Sequence, residues 1–166
     1  RRFWEHVFRA VDPAGTSGML RSQLRIIHDA LRDLAEAPLG TVVAADFVFE
    51  QDQAKLVQEG VLLRELDETI RNLDDGTDEG RLARRLCGLI FLIRKLPREA
   101  GFDIGVRATE EMLSDLLVSD LKTDGTTLRK NVPAVLEPVA TASQCRCWRE
   151  SVRRRCCGGS GVAICR

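Results

Sequence analysis

From Leu82 onward, apolar residues recur at gaps of four and three, at Leu82, Leu86, Leu89, Ile93 and Leu96, with Ile90 widening the stripe. That spacing predicts a helix over residues 81–97, RLARRLCGLIFLIRKLP, with one continuous apolar face. Asp78 and Glu79 stand where an N-cap and first turn favour acids, Arg94 and Lys95 where the last turn favours bases, and Pro97 is the expected stop. Only CGLIFLI within it is free of charge, which is too short to cross a bilayer. The stretch reads as the central core helix of a helical protein.

The same period recurs on both sides of it. Phe3, Trp4, Val7, Phe8 and Val11 share a broad helical face that Asp12 and Pro13 close. Leu20, Leu24, Ile27, Leu31 and Leu34 predict a second helix from Ser17 to about Ala37, ended by Pro38, with Arg21, Arg25, Asp29, Arg32 and Asp33 on its solvated side. LGTVV, residues 39–43, is short and β-prone. Asp46 is a candidate cap for a helix at about 50–58, anchored by Phe47, Phe49, Leu56 and Val57. After Gly60, a helix from Val61 would place Leu62, Leu66, Ile70 and Leu73 on one side, and DDGTDEG turns the chain into the central helix.

Beyond Pro97, REAGFDIGVRA reads as a loop with room for a short strand at Ile104–Val106. Thr109 caps a helix with Glu110 and Glu111 in its first turn and Leu113, Leu116, Leu117 and Leu121 on its apolar side. KTDG turns the chain, and Thr126 or Thr127 caps a last helix with Leu128, Val132, Val135 and Leu136 inward, interrupted late by Pro133 and Pro138. A short strand followed by two helices and a tight turn has the pattern of a winged helix or helix-turn-helix. The predicted architecture is therefore mainly α: a helical bundle over 1–97, a winged-helix-like unit over 98–142, and an irregular Cys/Arg-rich tail over 143–166.

Charge changes the picture at that tail. Residues 143–166 carry six Arg against one Glu, a net of +5, so a chain with zero net charge holds −5 in its first 142 residues. Five of the six Cys lie in the last 22 residues, in CRC and CC spacings that do not match the paired CxxC of a structural zinc site. The tail has no apolar period and no convincing strand alternation for a wing, and its composition is that of a shifted reading frame through GC-rich DNA. With Arg as first residue, the chain reads as part of a longer gene product, and with no signal-peptide pattern its expected location is cytoplasmic.

Catalytic patterns are weak. GTSGMLRS, residues 15–22, has glycines but no Gly-Lys-Ser/Thr to cradle phosphates, so it reads as a loop and helix cap. VLLRELDE, residues 61–68, superficially resembles a strand ending in magnesium-binding acids, yet Arg64 and Glu65 break its apolar run and helical spacing fits it better. Cys87 lies among leucines as a small buried thiol, and His6 and His28 supply no nucleophile–base pair with it. No catalytic, cofactor-binding or metal site is expected. The candidate contact residues are basic: Arg129 and Lys130 on the last helix for nucleic acid, and Arg81, Arg84 and Arg85 on the central helix for a partner. Net −5 in the body weighs against charge-driven DNA binding.

Two extended runs carry a resemblance: FWEHVFRAVDPAGTSGMLRSQLRIIHDALRDLAEAPLGTVVAADFVFEQ, and IRNLDDGTDEGRLARRLCGLIFLIRKLPREAGFDIGVRATEEMLSDLLVSDLKTDGTTLRKNVPAVLEPV. Together they make residues 3–139 similar to an interior part of the large P-loop ATPases of bacterial BREX phage-exclusion systems, the BrxC-type family. The resemblance implies a parent that binds ATP and magnesium through a Walker site upstream, and that acts with a methyltransferase and other BREX components in phage defence. No Walker sequence stands in this chain, so neither cofactor passes to any residue here. The family continues after LRKNVPAVLEPV into a hairpin that the Cys/Arg tail does not match. The expectation is a non-catalytic helical piece coupling nucleotide state to partner or DNA contacts. A stand-alone winged-helix DNA-binding module and the inactive product of a truncated gene are the other readings.

Overall fold

A computed structural model describes residues 18–96, 98 and 103–141. The predicted elements at 3–11 and the tail from 143 onward, with any wing there, lie outside the described residues. The described part is mainly helical: α1 (Gly18–Leu34), α2 (Phe47–Gln58), α3 (Arg64–Arg71), α4 (Asp78–Lys95), α5 (Glu110–Leu116) and α6 (Asp124–Thr141). Among the described residues no helix is long and apolar enough to cross a membrane.

α4 is the axis. Its N-cap is Thr77, one residue before the expected acid, whose hydroxyl accepts from the Gly80 N–H, while Asp78 and Glu79 fill the first turn and Arg94 and Lys95 the last. Leu96 leaves the helix in extended conformation, as a residue preceding proline must. The predicted stripe is buried, and so are Ala83, Cys87, Gly88, Ile90 and Leu92, because α2, α3, α5 and α6 all pack on this helix. Close approach to α2 depends on Gly88: a Cβ there would lie 2.4 Å from Cδ1 of Phe49. The Phe49 ring fills that space and meets Phe91 edge-on at 5.9 Å between centroids.

Leu113, Leu117, Leu128, Val132, Val135 and Leu136 of α5 and α6 belong to the same buried cluster as Val48, Leu56, Leu62 and Ile70 of the preceding half. Neither of the two stretches with room for a strand forms one. The 39–43 stretch forms a single antiparallel bridge, Thr41 to Asp120, with Val42 N–H donating to Ser119 O and Leu121 N–H to Gly40 O. Residues 103–109 run without strand pairing among the described residues.

Other boundaries move for local reasons. α2 starts at Phe47, three residues before expectation, and α3 starts at Arg64 because Val61–Leu63 form a turn in which the Leu62 N–H returns to Leu56 O. Thr109 caps α5 as predicted, accepting from the Met112 N–H. α6 begins at Asp124 rather than after Thr126 or Thr127, and it runs through Pro133 and Pro138 instead of breaking. Its start is set by the Asp124 carboxylate, which takes the Ser119 N–H, the Ser119 hydroxyl and the Asp120 N–H. That knot leaves Leu121 on the outside of the turn, 68% exposed and not on the apolar side of α5.

The largest departure is α1. Of the stripe predicted to be its buried face, Leu24, Ile27 and Leu31 are 50–62% exposed and Leu34 is half-buried, while Ile26 is the buried residue at 4%.

Candidate functional site

The basic residues singled out on α4 separate by geometry, because neighbours on a helix point about 100° apart. Arg85 turns inward. Its Nε donates to Asp46 Oδ2 at 2.6 Å, and its Nη2 reaches both Asp46 Oδ1 at 3.2 Å and the backbone oxygen of Leu117 at 3.2 Å. One planar guanidinium thus holds the residue before α2, the central helix and the C-terminal end of α5. Asp46 is buried at 4%. The expected side-chain N-cap role of Asp46 is not taken, since its carboxylate is engaged by Arg85 and makes no cap bond.

Glu50, one turn into α2, stands beside this pair. Burial, followed by the Asp46 charge, pushes its carboxyl above the usual carboxylate range, against the pull of Arg84 and Arg85. Burial pulls the Arg85 guanidinium down, but the bonds and charge of Asp46, joined by the charges of Glu50 and Asp124, hold it above its ordinary value. Arg84 reaches Asp74 at 3.4 Å, and Arg81 donates to Gly76 O at 2.7 Å and to Asp78 at 2.5 Å while remaining exposed. Arg81 and Arg84 therefore brace the turn that leads into α4, and Arg81 is the most solvent-facing of the three.

Arg129 and Lys130 are both exposed on α6, with Thr126, Thr127 and Asn131 on the same stretch of surface. Arg129 Nη2 lies 3.0 Å from Asp115 of α5, an ion pair open to water on both sides and thus of little energetic weight. The arrangement leaves the guanidinium able to exchange that carboxylate for another anion. The order in which it occurs is helix α4, the irregular stretch 103–109, helix α5, the knotted turn at 117–123, and helix α6.

Two networks were not anticipated from sequence. Gln53 donates to Asp67 at 2.6 Å, and Arg71 closes on the other oxygen of the same carboxylate at 2.9 Å, fastening α2 to α3 with both Gln53 and Asp67 buried. Arg25 of α1 reaches Asp52 at 3.2 Å. The detectable signal was small: polar residues at otherwise buried positions of α2, namely Asp52 and Gln53 beside Leu56.

No group of His, Cys, Asp and Glu able to hold a metal occurs among the described residues. Cys87 is buried at 1%, and His28 is exposed beside Asp29 at 3.3 Å. A cleft of about 270 Å³ between α3 and α4 is lined by Leu66, Ile70, Ile90 and Phe91 with Arg94 and Lys95 at its edge, and the ammonium of Lys95 sits 5.3 Å from the Phe91 ring centroid. No family model, curated protein or solved structure matches this chain.

Proposed function

We propose that this chain is a non-catalytic helical piece of a BREX-type P-loop ATPase of bacterial phage defence, and that in the parent it couples nucleotide state to partner or DNA contacts. The observation that supports coupling is the Arg85 tie. A guanidinium that joins three segments far apart in sequence makes α4 and the start of α5–α6 respond together to a push on either one. Arg81, exposed at the N-terminal end of α4, is the position on that rigid axis best placed to meet a partner subunit or another BREX component. ATP and magnesium belong to the parent's nucleotide site and need no residue here.

Two measurements test the reading. Calorimetry of the 166-residue chain with ATP and magnesium should give no binding; micromolar affinity would refute a non-catalytic piece. In a complete ATPase carrying this stretch, Arg81→Glu should leave basal hydrolysis intact and abolish phage exclusion. Retained exclusion would remove the coupling role.

A second reading, a winged-helix DNA-binding module, is supported by the order of elements from α4 to α6, a helix, an irregular stretch, a helix, a tight turn and a helix, which parallels the helical part of such a module without its strand. Arg129 and Lys130 then lie on the helix that would enter the major groove. In this reading the chain retards a duplex probe at low salt, loses it steeply as salt rises, and loses it altogether with Arg129→Glu and Lys130→Glu together. Absence of any salt-sensitive retardation sinks it.

A further inference from the structure

α1 differs from the other helices in how it is attached. It makes only sparse contact with any of them, whereas α4 packs on four. Among its described side chains, Ile26 is the one buried in the common core, and Arg25 provides an ion pair to the body, at 3.2 Å to Asp52. Among the described side chains, these two adjacent residues carry the strongest attachment.

The partner carboxylate makes that pair consequential. Asp52 is 2% exposed on α2, while the Arg25 side chain is 54% exposed. Burial pushes the Asp52 carboxyl above its usual range, and Lys55 and Arg25 act against that push. A buried carboxylate deprived of its cation is costly unless water reaches it, and lifting α1 away admits that water. The connection to the body supplies a pivot. Between Leu34 and the bridged Thr41 lie Pro38 and Gly40, whose φ of +107° is open to glycine and strained for other residues. The chain is pinned again immediately afterwards, by Val42 N–H to Ser119 O and Ala45 N–H to Leu116 O.

We infer that α1 is a latched arm, held by Arg25 on Asp52 and Ile26 in the core, which swings away as an intact helix about residues 35–40 while the rest of the body stays folded. Release adds Ile26 to the already exposed Leu24, Ile27 and Leu31, so the free arm presents apolar side chains over just under half of its circumference. It also opens Asp52 to solvent. The inference is independent of the BREX reading, because it concerns only how one helix is held.

Hydrogen exchange on the full chain, followed by mass spectrometry across a series of low denaturant concentrations, tests it. Amides of 24–34 should open by a route insensitive to denaturant, faster than those of 82–93, which should open only with global unfolding. Arg25→Met should speed exchange in α1 by roughly tenfold or more and that of 82–93 by no more than the same factor, with the denaturant-insensitive route still confined to α1. The exchanged pair, Arg25→Asp with Asp52→Arg, should restore slow exchange in α1. If α1 and α4 open together, if α1 shows no protection at all in the unmodified chain, or if Arg25→Met leaves exchange in α1 unmoved, there is no latch.

Discussion

Arg85 and Asp46, 39 residues apart in the chain, meet at 2.6 Å in a bidentate pair whose third bond goes to the Leu117 backbone. Removing the guanidinium strands a carboxylate that is 4% exposed. Arg85→Met should therefore cost about 3–5 kcal/mol of unfolding free energy. Asp46→Asn in the same chain should return part of that loss, because the uncompensated charge is then gone. Urea titration of the two single variants and the double variant measures the coupling. Additive losses would mean that the pair carries no joint energy.

Gly88 and Phe49 make a second pair with a definite outcome. Because a Cβ at 88 would stand 2.4 Å from the Phe49 ring, Gly88→Ala should destabilise by about 1–3 kcal/mol despite alanine's better helix propensity. Combining it with Phe49→Leu should cost less than the two separate losses added together. Thermal melts of the three variants decide this, and a stabilised Gly88→Ala would show that the helices part easily at that point.

Helix caps predict smaller effects. The Thr77 hydroxyl accepts from the Gly80 N–H at 3.0 Å and the Thr109 hydroxyl from the Met112 N–H at 3.2 Å. Thr→Ala at either position should cost about 1 kcal/mol. Denaturant midpoints with unchanged slopes are the expected readout.

Acid should act through groups of opposite sign. The Asp124 carboxyl is held below its usual range, first by the Ser119 hydroxyl, then by the Ser119 N–H, so its contribution is complete above the unfolded carboxylate range and is lost as pH falls through the folded value. The Asp52 and Glu50 carboxyls are pushed up by burial, so protonating them relieves a penalty, and on their account stability increases as pH falls through their raised values. Melting temperature measured from neutrality downward should be flat or slightly rising in the mildly acidic range and then drop below about pH 4. Asp124→Asn should shallow the final drop, and Asp52→Asn should remove part of any rise. An Asp124→Asn chain with an unchanged acid limb would show that the knot at 119–124 is not held by that charge.

The central helix was readable because its information is local. Apolar gaps of four and three between Leu82 and Leu96, acids at its start and bases at its end describe a helix whatever surrounds it. Thr109 as a cap and Cys87 as a buried thiol were legible for the same reason. The Asp124 knot was not, since a turn that bonds its carboxylate to Ser119 and Asp120 looks in sequence like any polar run, and it displaced both the start of α6 and the side chain of Leu121.

The candidate site was legible only as a list of arginines. Arg81, Arg84 and Arg85 are equivalent in composition and adjacent on one helix, yet one faces solvent, one braces a turn and one is drawn inward by a carboxylate that lies near in space alone. Arg129 stands exposed on the last helix, and nothing in the sequence signals that Asp115 lies beside it.

What the sequence determined by itself is the set of helices among the described residues, for periodicity and capping act over three or four residues and need no neighbours. What the tertiary structure decided is which faces those helices use. In α1 a regular stripe at Leu24, Ile27 and Leu31 lies outward and Ile26 lies inward, because burial depends on where the rest of the body stands, and a period of 3.6 marks a face without saying what covers it.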